Sequence, residues 1–203
     1  MNYTSINKET YNNIADQFSG TRDYLWEDLK ALEPYVRSNT TVIDIGCGNG
    51  RLYQLFAKSQ CFYVGVDQSE GLIEMAKQKF SDAQFLLQEM SQLDLADDTY
   101  DQAWLMASFH HLSDQKTRVE TLLKIKKSLK QNGEIIMLNW NMSGEWVQNK
   151  VAKGSYTKVG EKGYIVPWRD GSKHNYGDRF YYDFSIKEIE ELAKEVGLEV
   201  VDQ

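Results

Sequence analysis

The stretches "TVIDIG" and "DIGCGNG", which overlap between residues 41 and 50, decide the fold. Thr41 to Ile45 is a short β-branched run, the composition of a buried strand. Glycines then fall at every second position, Gly46, Gly48 and Gly50, and the chain continues into "RLYQLFAK", which reads as a helix. Glycine lacks a Cβ, so a turn of this kind can tighten and let the backbone approach a ligand closely. The next strand, "CFYVGVD", ends on Asp67, 23 residues after Asp44. An acid at that strand tip can accept hydrogen bonds from both hydroxyls of a ribose, as a nucleoside-containing cofactor requires.

Outward from this unit the alternation continues. "SEGLIEMAKQKF" predicts a helix capped by Ser69, with Leu72, Met75, Ala76 and Phe80 on one face. "AQFLLQ" and "YDQAWLMA" predict strands, and Asp114 to Lys130 predicts a helix with Val119, Leu122, Leu123 and Leu129 inward. "GEIIMLNW" is a strand, "SIKEIEELAKEVG" a helix opened by the Ser185 and Glu188 capping box, and "LEVVDQ" a final strand. Upstream, helices are expected over about Thr4 to Phe18 and Tyr24 to Val36. Strands alternating with helices imply an α/β fold, mostly parallel, with helices on both faces.

At 203 residues, 41% hydrophobic and 26% charged, the chain suits one soluble domain. No apolar run approaches the roughly 20 residues of a membrane span, and "MNYTSINKET" has no signal core. Cys47 and Cys61 are too few for a disulfide framework and poorly spaced for zinc, so no metal site and a cytoplasmic setting are expected. The net charge of −7 argues against a general nucleic-acid binder and against DNA. Yet residues 142–184 hold seven Lys/Arg against five Asp/Glu, together with nine aromatics.

A dinucleotide site would want G-x-G-x-x-G, with pyrophosphate at the helix start. Here Asp44 precedes a G-x-G-x-G spacing, and a carboxylate at that strand tip suits a cationic amino-acid group instead. The expected cofactor is S-adenosylmethionine. On these residues the chain resembles the class I S-adenosylmethionine-dependent methyltransferases, with a Rossmann-like fold. The resemblance implies that Gly46, Gly48 and Gly50 surround the methionine part and Asp67 holds the ribose. It implies that Gln88, Glu89 and Met90 lie against the adenine, with Glu89 where the family often has Asp. Asp44, Cys47, Gln68 and Ala107 complete the implied cofactor set.

A sulfonium is already a strong electrophile, so the protein's task is to align an acceptor. Four stretches converge where open parallel sheets bind ligands: "FSGTRDYLW", "SFHHL", "LNWN", and the pair "VPW" and "DRFYYDF". Singly each has a plain structural explanation. With "YNNIADQFSGTRDYLW" and "GVDQSEGLIEMAK" they resemble, in order, the tRNA methyltransferases that esterify 5-carboxymethyluridine at the wobble position. The resemblance implies that Arg22 and Arg179 grip the acceptor carboxylate or an adjacent phosphate. His110 or His111 would act as a neutral hydrogen-bonding group, and Trp26, Trp140 and Trp168 as substrate contacts. A carboxylic acid is ionised at neutral pH, so no base is required; arginine orients it through its planar fork.

The resemblance implies one domain, with 1–36 as a helical lid and 142–184 as a substrate-facing insertion. It also implies tRNA as substrate and a small zinc-binding activator protein as partner. Two departures stand out: the chain stops about one strand short of the family's antiparallel hairpin, and "LDLADDT" replaces a proline-containing loop. Two other functions fit the same cofactor residues. One is a small-molecule methyltransferase, the other a noncatalytic cofactor-binding partner module.

Overall fold

The computed structural model describes residues 2–170 and 174–202. Helices α1 (Tyr3–Asn13), α2 (Ala15–Thr21) and α3 (Glu27–Lys30) lead into β1 (Thr41–Ile45), α4 (Tyr53–Phe56), β2 (Phe62–Asp67), α5 (Glu70–Lys79) and β3 (Gln84–Leu87). Then come β4 (Tyr100–Met106), α6 (Gln115–Ser128), β5 (Leu129–Leu138), α7 (Glu145–Ala152), β6 (Thr157–Val159), β7 (Gly163–Arg169), β8 (Asn175–Tyr182) and α8 (Ile186–Glu195).

Strands β1 to β5 form one sheet in the order β3-β2-β1-β4-β5, every pair parallel. This is the Rossmann-like class I methyltransferase architecture. The order reverses between β1 and β4, and ligands bind such sheets at the strand ends there. Strand side chains alternate between faces, so Ile43 and Ile45 enter one core with Val64, Val66 and Ile125. Val42 enters the opposite core with Phe56, Tyr63, Phe85 and Trp104. Both faces are therefore covered, as the near-continuous apolar strands required.

A second sheet, β6-β7-β8, is antiparallel and was not foreseen in the sequence. Its side chains Tyr164, Val166 and Tyr181 pack with Met142 and Val147 into a small core of their own. α1 packs along β8: Tyr3 stacks on Phe180 at 4.2 Å between ring centroids. The Asn7 side chain forks onto the Phe180 backbone, accepting its N–H at 2.7 Å and donating to its carbonyl at 3.4 Å.

Several expected elements change. The first helix breaks at Ile14 after Asn12 and Asn13, weak helix formers that end α1. The second shrinks to α3 and a 3-10 turn at Glu33–Tyr35, because Pro34 cannot continue a helix. Leu123 lies on the solvent face of α6, 47% exposed, and Ile125 takes the inward place. No strand forms over residues 198–202, where Asp202 accepts from the Tyr35 hydroxyl instead and Val201 is 83% exposed. Among the described residues the parallel sheet ends at β5 without an antiparallel hairpin. Among the described residues no helix is long and apolar enough to cross a membrane.

Candidate active site

One cleft opens at the carboxyl ends of β1, β2 and β4, roofed by α1, α2 and β8. Its floor is the glycine turn. Gly46 sits at φ +79°, and a Cβ there would lie 2.3 Å from Ser108 Cβ. Ser108 is fixed by donating from its hydroxyl to the Ile45 carbonyl at 2.6 Å. The β1 and β4 loops are thus packed against each other at the cleft. Ala107 precedes Ser108 at φ +57°, a left-handed conformation costing about 1–3 kcal/mol outside glycine and concentrated at functional sites.

Asp67 ends β2 and accepts the Gly48 N–H at 2.9 Å and the Ser69 N–H at 2.8 Å, which fixes both oxygens. Asp44 is buried; one oxygen accepts from the Tyr63 hydroxyl, and the other, Oδ1, has no partner. Burial raises its pKa to about 7, opposed by the Tyr63 hydrogen bond and reinforced by Asp67. An orphaned carboxylate oxygen facing a cleft is matched to a cationic group, and to an ammonium in particular. Gln68, Gln88, Glu89 and Met90 form one wall, with Glu89 bonded to the Ser91 hydroxyl. Cys47, Gly48 and Ala107 also line the cleft. Gly50 does not: its φ of +76° turns the chain beneath, where a Cβ would meet the Phe85 ring at 2.8 Å. These residues could hold S-adenosylmethionine: Asp44 Oδ1 would meet its ammonium, Asp67 its ribose, and the wall with Glu89 and Met90 its adenine.

The roof carries a second group of residues. His111 Nδ1 lies 2.6 Å from the Phe180 carbonyl and Nε2 lies 3.0 Å from the Tyr11 hydroxyl. A carbonyl can only accept, so Nδ1 carries the proton and Tyr11 donates to Nε2. Burial lowers the His111 pKa to about 4, with Arg179 pushing the same way. Arg179 is buried, lines the cleft and sits 4.9 Å from the Trp168 ring centroid, 5.4 Å from Tyr181 and 5.9 Å from Tyr11. Among the described residues it has no ion-pair partner, and its Nε has no hydrogen bond.

The structure divides the remaining expected residues. Arg22, Trp26 and Trp140 line the cleft. His110 does not: it is fully buried behind His111, stacked on Tyr181 at 4.7 Å. Burial holds it neutral, and its place is packing under the roof. Trp168 also stays outside the lining; it backs Arg179 and donates its indole N–H to Gln17 at 3.1 Å. Among the lining residues that sequence reading did not single out are Arg51 and Tyr11. Arg51 read as the start of a helix, yet its guanidinium lies 3.6 Å over the Trp26 ring with Nη1 unpartnered. Tyr11 lies in the opening segment without an expected role at the site, yet its hydroxyl meets His111 and its ring faces Arg179.

Comparison with known proteins fits this arrangement. The tRNA (carboxymethyluridine(34)-5-O)-methyltransferase of Saccharomyces cerevisiae is 30% identical over 160 residues, covering 79% of this chain and 55% of that protein. The chain therefore spans about half the length of that relative. A methyltransferase from Haloferax volcanii, solved in complex with the Trm112 methyltransferase activator, superposes with a TM-score of 0.72 at 21% identity. That match covers 96% of this chain and 77% of the other. A Methanosarcina mazei structure described as an S-adenosylmethionine-dependent methyltransferase gives 0.67 at 19% identity, covering 85% and 84%. A family model described as a methyltransferase domain matches residues 36–196, from the segment before β1 to the end of α8. With the glycine turn, Asp44 and Asp67 in place beneath that match, the chain belongs to the methyltransferase domain family, whose methyl donor is S-adenosylmethionine.

Proposed function

We propose that this domain transfers a methyl group to the carboxylate of 5-carboxymethyluridine at the wobble position of tRNA, forming the methyl ester. The observation that carries the proposal is Arg179: a buried cation at the cleft with no acid to pair it among the described residues. A buried unpaired charge is costly, so an anion is the fitting ligand. Among the described residues the same roof offers no base to make a nucleophile from a neutral acceptor. His111 is neutral and both its nitrogens are engaged, while His110 does not reach the cleft. An acceptor ionised in advance needs no base, and a carboxylic acid is ionised at neutral pH.

Asp44 Oδ1 would hold the ammonium of S-adenosylmethionine, Asp67 its ribose, and Glu89 and Met90 its adenine. When bound, that cofactor supplies an electrophilic methyl. The remaining work is orientation, which alone can lower a barrier by several kcal/mol. Arg179 would grip one acceptor oxygen and leave the other free to attack. His111, through Tyr11, would keep that grip in place. Trp140 would stack on the uracil, as readers of unpaired RNA do. Residues 1–36 serve as a lid and 142–184 as the substrate-facing insertion.

The likeness to a Saccharomyces cerevisiae wobble-uridine enzyme supports RNA as the acceptor. The activator in the Haloferax complex supports a small activator partner for this chain as well. The net charge of −7 favours instead a small-molecule carboxylate bound by the same arginine. Labelled-methyl transfer to tRNA from a strain lacking the wobble ester decides between them, read by nuclease digestion and mass spectrometry. The expected product is the 5-carboxymethyluridine methyl ester, lost in Arg179→Ala. Transfer to small carboxylates with none to tRNA would overturn the RNA assignment.

A further inference from the structure

A second groove adjoins the cleft, bounded by Tyr24, Glu27, Asp28 and residues 138–141, and shares Arg22, Trp26, Arg51 and Trp140 with it. Two of its aromatics face solvent: Tyr24 is 68% exposed and Trp140 45%. Exposed flat rings beside a positive charge are the elements of single-strand recognition, where bases stack and phosphates meet arginine. The groove's acids, Glu27 and Asp28, are solvent-exposed, and Glu27 is paired with Lys30. Solvent screening leaves them little repulsion to exert.

Charge counting sharpens the picture. Three arginines, Arg22, Arg51 and Arg179, line the cleft, and no lysine does so among the described residues. None of the three has an ion-pair partner there. Two anions are already required, the carboxylate of the methyl donor and that of the acceptor. Arg51 follows the glycine turn directly and feels the Asp44 charge, so it suits the donor's carboxylate. Arg179, enclosed by aromatics under the roof, suits the acceptor. Arg22 remains. Among the described residues its guanidinium donates only to Thr21, at 3.3 Å to the carbonyl and 3.3 Å to the hydroxyl, and lies 5.7 Å from the Phe18 and Trp168 centroids. It stands where cleft and groove meet.

We propose that this groove binds the nucleotide adjoining the acceptor in a single-stranded RNA, with Arg22 on the intervening phosphodiester and Tyr24 as the stacking face for the flanking base. The inference rests on the RNA reading of the proposed function and adds a subsite to it. The acceptor's own base and the flanking base are thereby held by different parts of one continuous surface.

The test compares carboxymethyluridine nucleoside with its two dinucleoside monophosphates, carrying the flanking nucleotide on the 5′ or the 3′ side. A methylphosphonate version of each removes the phosphate charge while keeping its shape. Wild-type kcat/KM should be about 10-fold or more higher for one dinucleotide than for the nucleoside. The methylphosphonate should lose that gain, and Tyr24→Ala should reduce the dinucleotide-to-nucleoside ratio. Both effects should spare the melting shift produced by S-adenosylmethionine. Equal kcat/KM for nucleoside and both dinucleotides, or a methylphosphonate as good as the phosphodiester, would overturn the subsite alone. Wild-type transfer to none of these substrates nor to tRNA would overturn the RNA function itself, and the subsite with it.

Discussion

The Tyr11 hydroxyl lies 3.0 Å from His111 Nε2, while Nδ1 of the same ring lies 2.6 Å from the Phe180 carbonyl. The carbonyl fixes the tautomer, the tautomer fixes Tyr11 as donor, and the phenol oxygen is left with lone pairs toward Arg179. Proton positions across the roof thus follow from one backbone oxygen. Tyr11→Phe removes the link but keeps the ring. The expected loss in kcat is roughly 10- to 100-fold, the range for one hydrogen bond to a charged group. S-adenosylmethionine affinity by calorimetry should change less than about twofold. A kcat near wild type would show that Arg179 holds its place without Tyr11.

His111 should contribute no limb to the pH–rate profile at neutral pH. Its pKa of about 4 keeps the ring neutral throughout the range from pH 5 to 8. Measured kcat across that range should therefore be flat as far as His111 is concerned, and His111→Gln should leave the profile's shape unchanged. A limb between pH 6 and 7 that vanishes in this variant would make His111 a general base and remove the case for an acceptor ionised in advance.

Cofactor affinity, by contrast, should depend on pH through Asp44. Its folded pKa of about 7 lies above the ordinary carboxylate range, because burial opposes the charge. Below pH 7 the group is protonated in the free protein and must lose that proton before pairing with an ammonium. S-adenosylmethionine affinity should fall about tenfold per pH unit below 7 and level off above it. Titration calorimetry from pH 5.5 to 8.5 measures this slope; Asp44→Asn should flatten it. A pH-independent affinity in the wild type would mean that Asp44 does not meet the ammonium.

Gly46→Ala should fail structurally as well as functionally. The new methyl would lie 2.3 Å from Ser108 Cβ at a φ of +79°. Backbone strain and overpacking together should cost about 2–4 kcal/mol in urea unfolding. The thermal shift with S-adenosylmethionine should vanish at the same time. Stability within about 0.5 kcal/mol of wild type would show that the β1 and β4 loops separate easily.

How much of this could be read beforehand follows physical locality. The glycine turn, Asp44 and Asp67 were legible because the chemistry lies in short segments whose hydrophobic period reveals strand ends. Ser185 and Glu188 were legible for the same reason and form the expected capping box. The roof was only half legible. Arg179 and His111 could be singled out as residues, but Tyr11 could not, and the hydrogen bonds of His111 to Phe180 and Tyr11 span 69 and 100 positions. Periodicity carries no information at that range. The antiparallel sheet was hidden by Pro167 within "GYIVPWR", a residue that argues against a central strand. Arg51 looked like an ordinary helix residue until Trp26 was seen beneath it. Trp140 and Trp168 carried the same label in the sequence, and only packing separates the first, in the cleft, from the second behind Arg179.

The Asn7 fork onto Phe180 joins positions 173 residues apart. Parallel strands β1 to β4 and the cofactor turn are complete long before residue 180 leaves the ribosome. The roof cannot close until then, since α1 has no β8 to lie on. A nascent chain would therefore acquire its donor pocket first and its acceptor grip last. Synthesis itself sets the order in which the two halves of the reaction become possible.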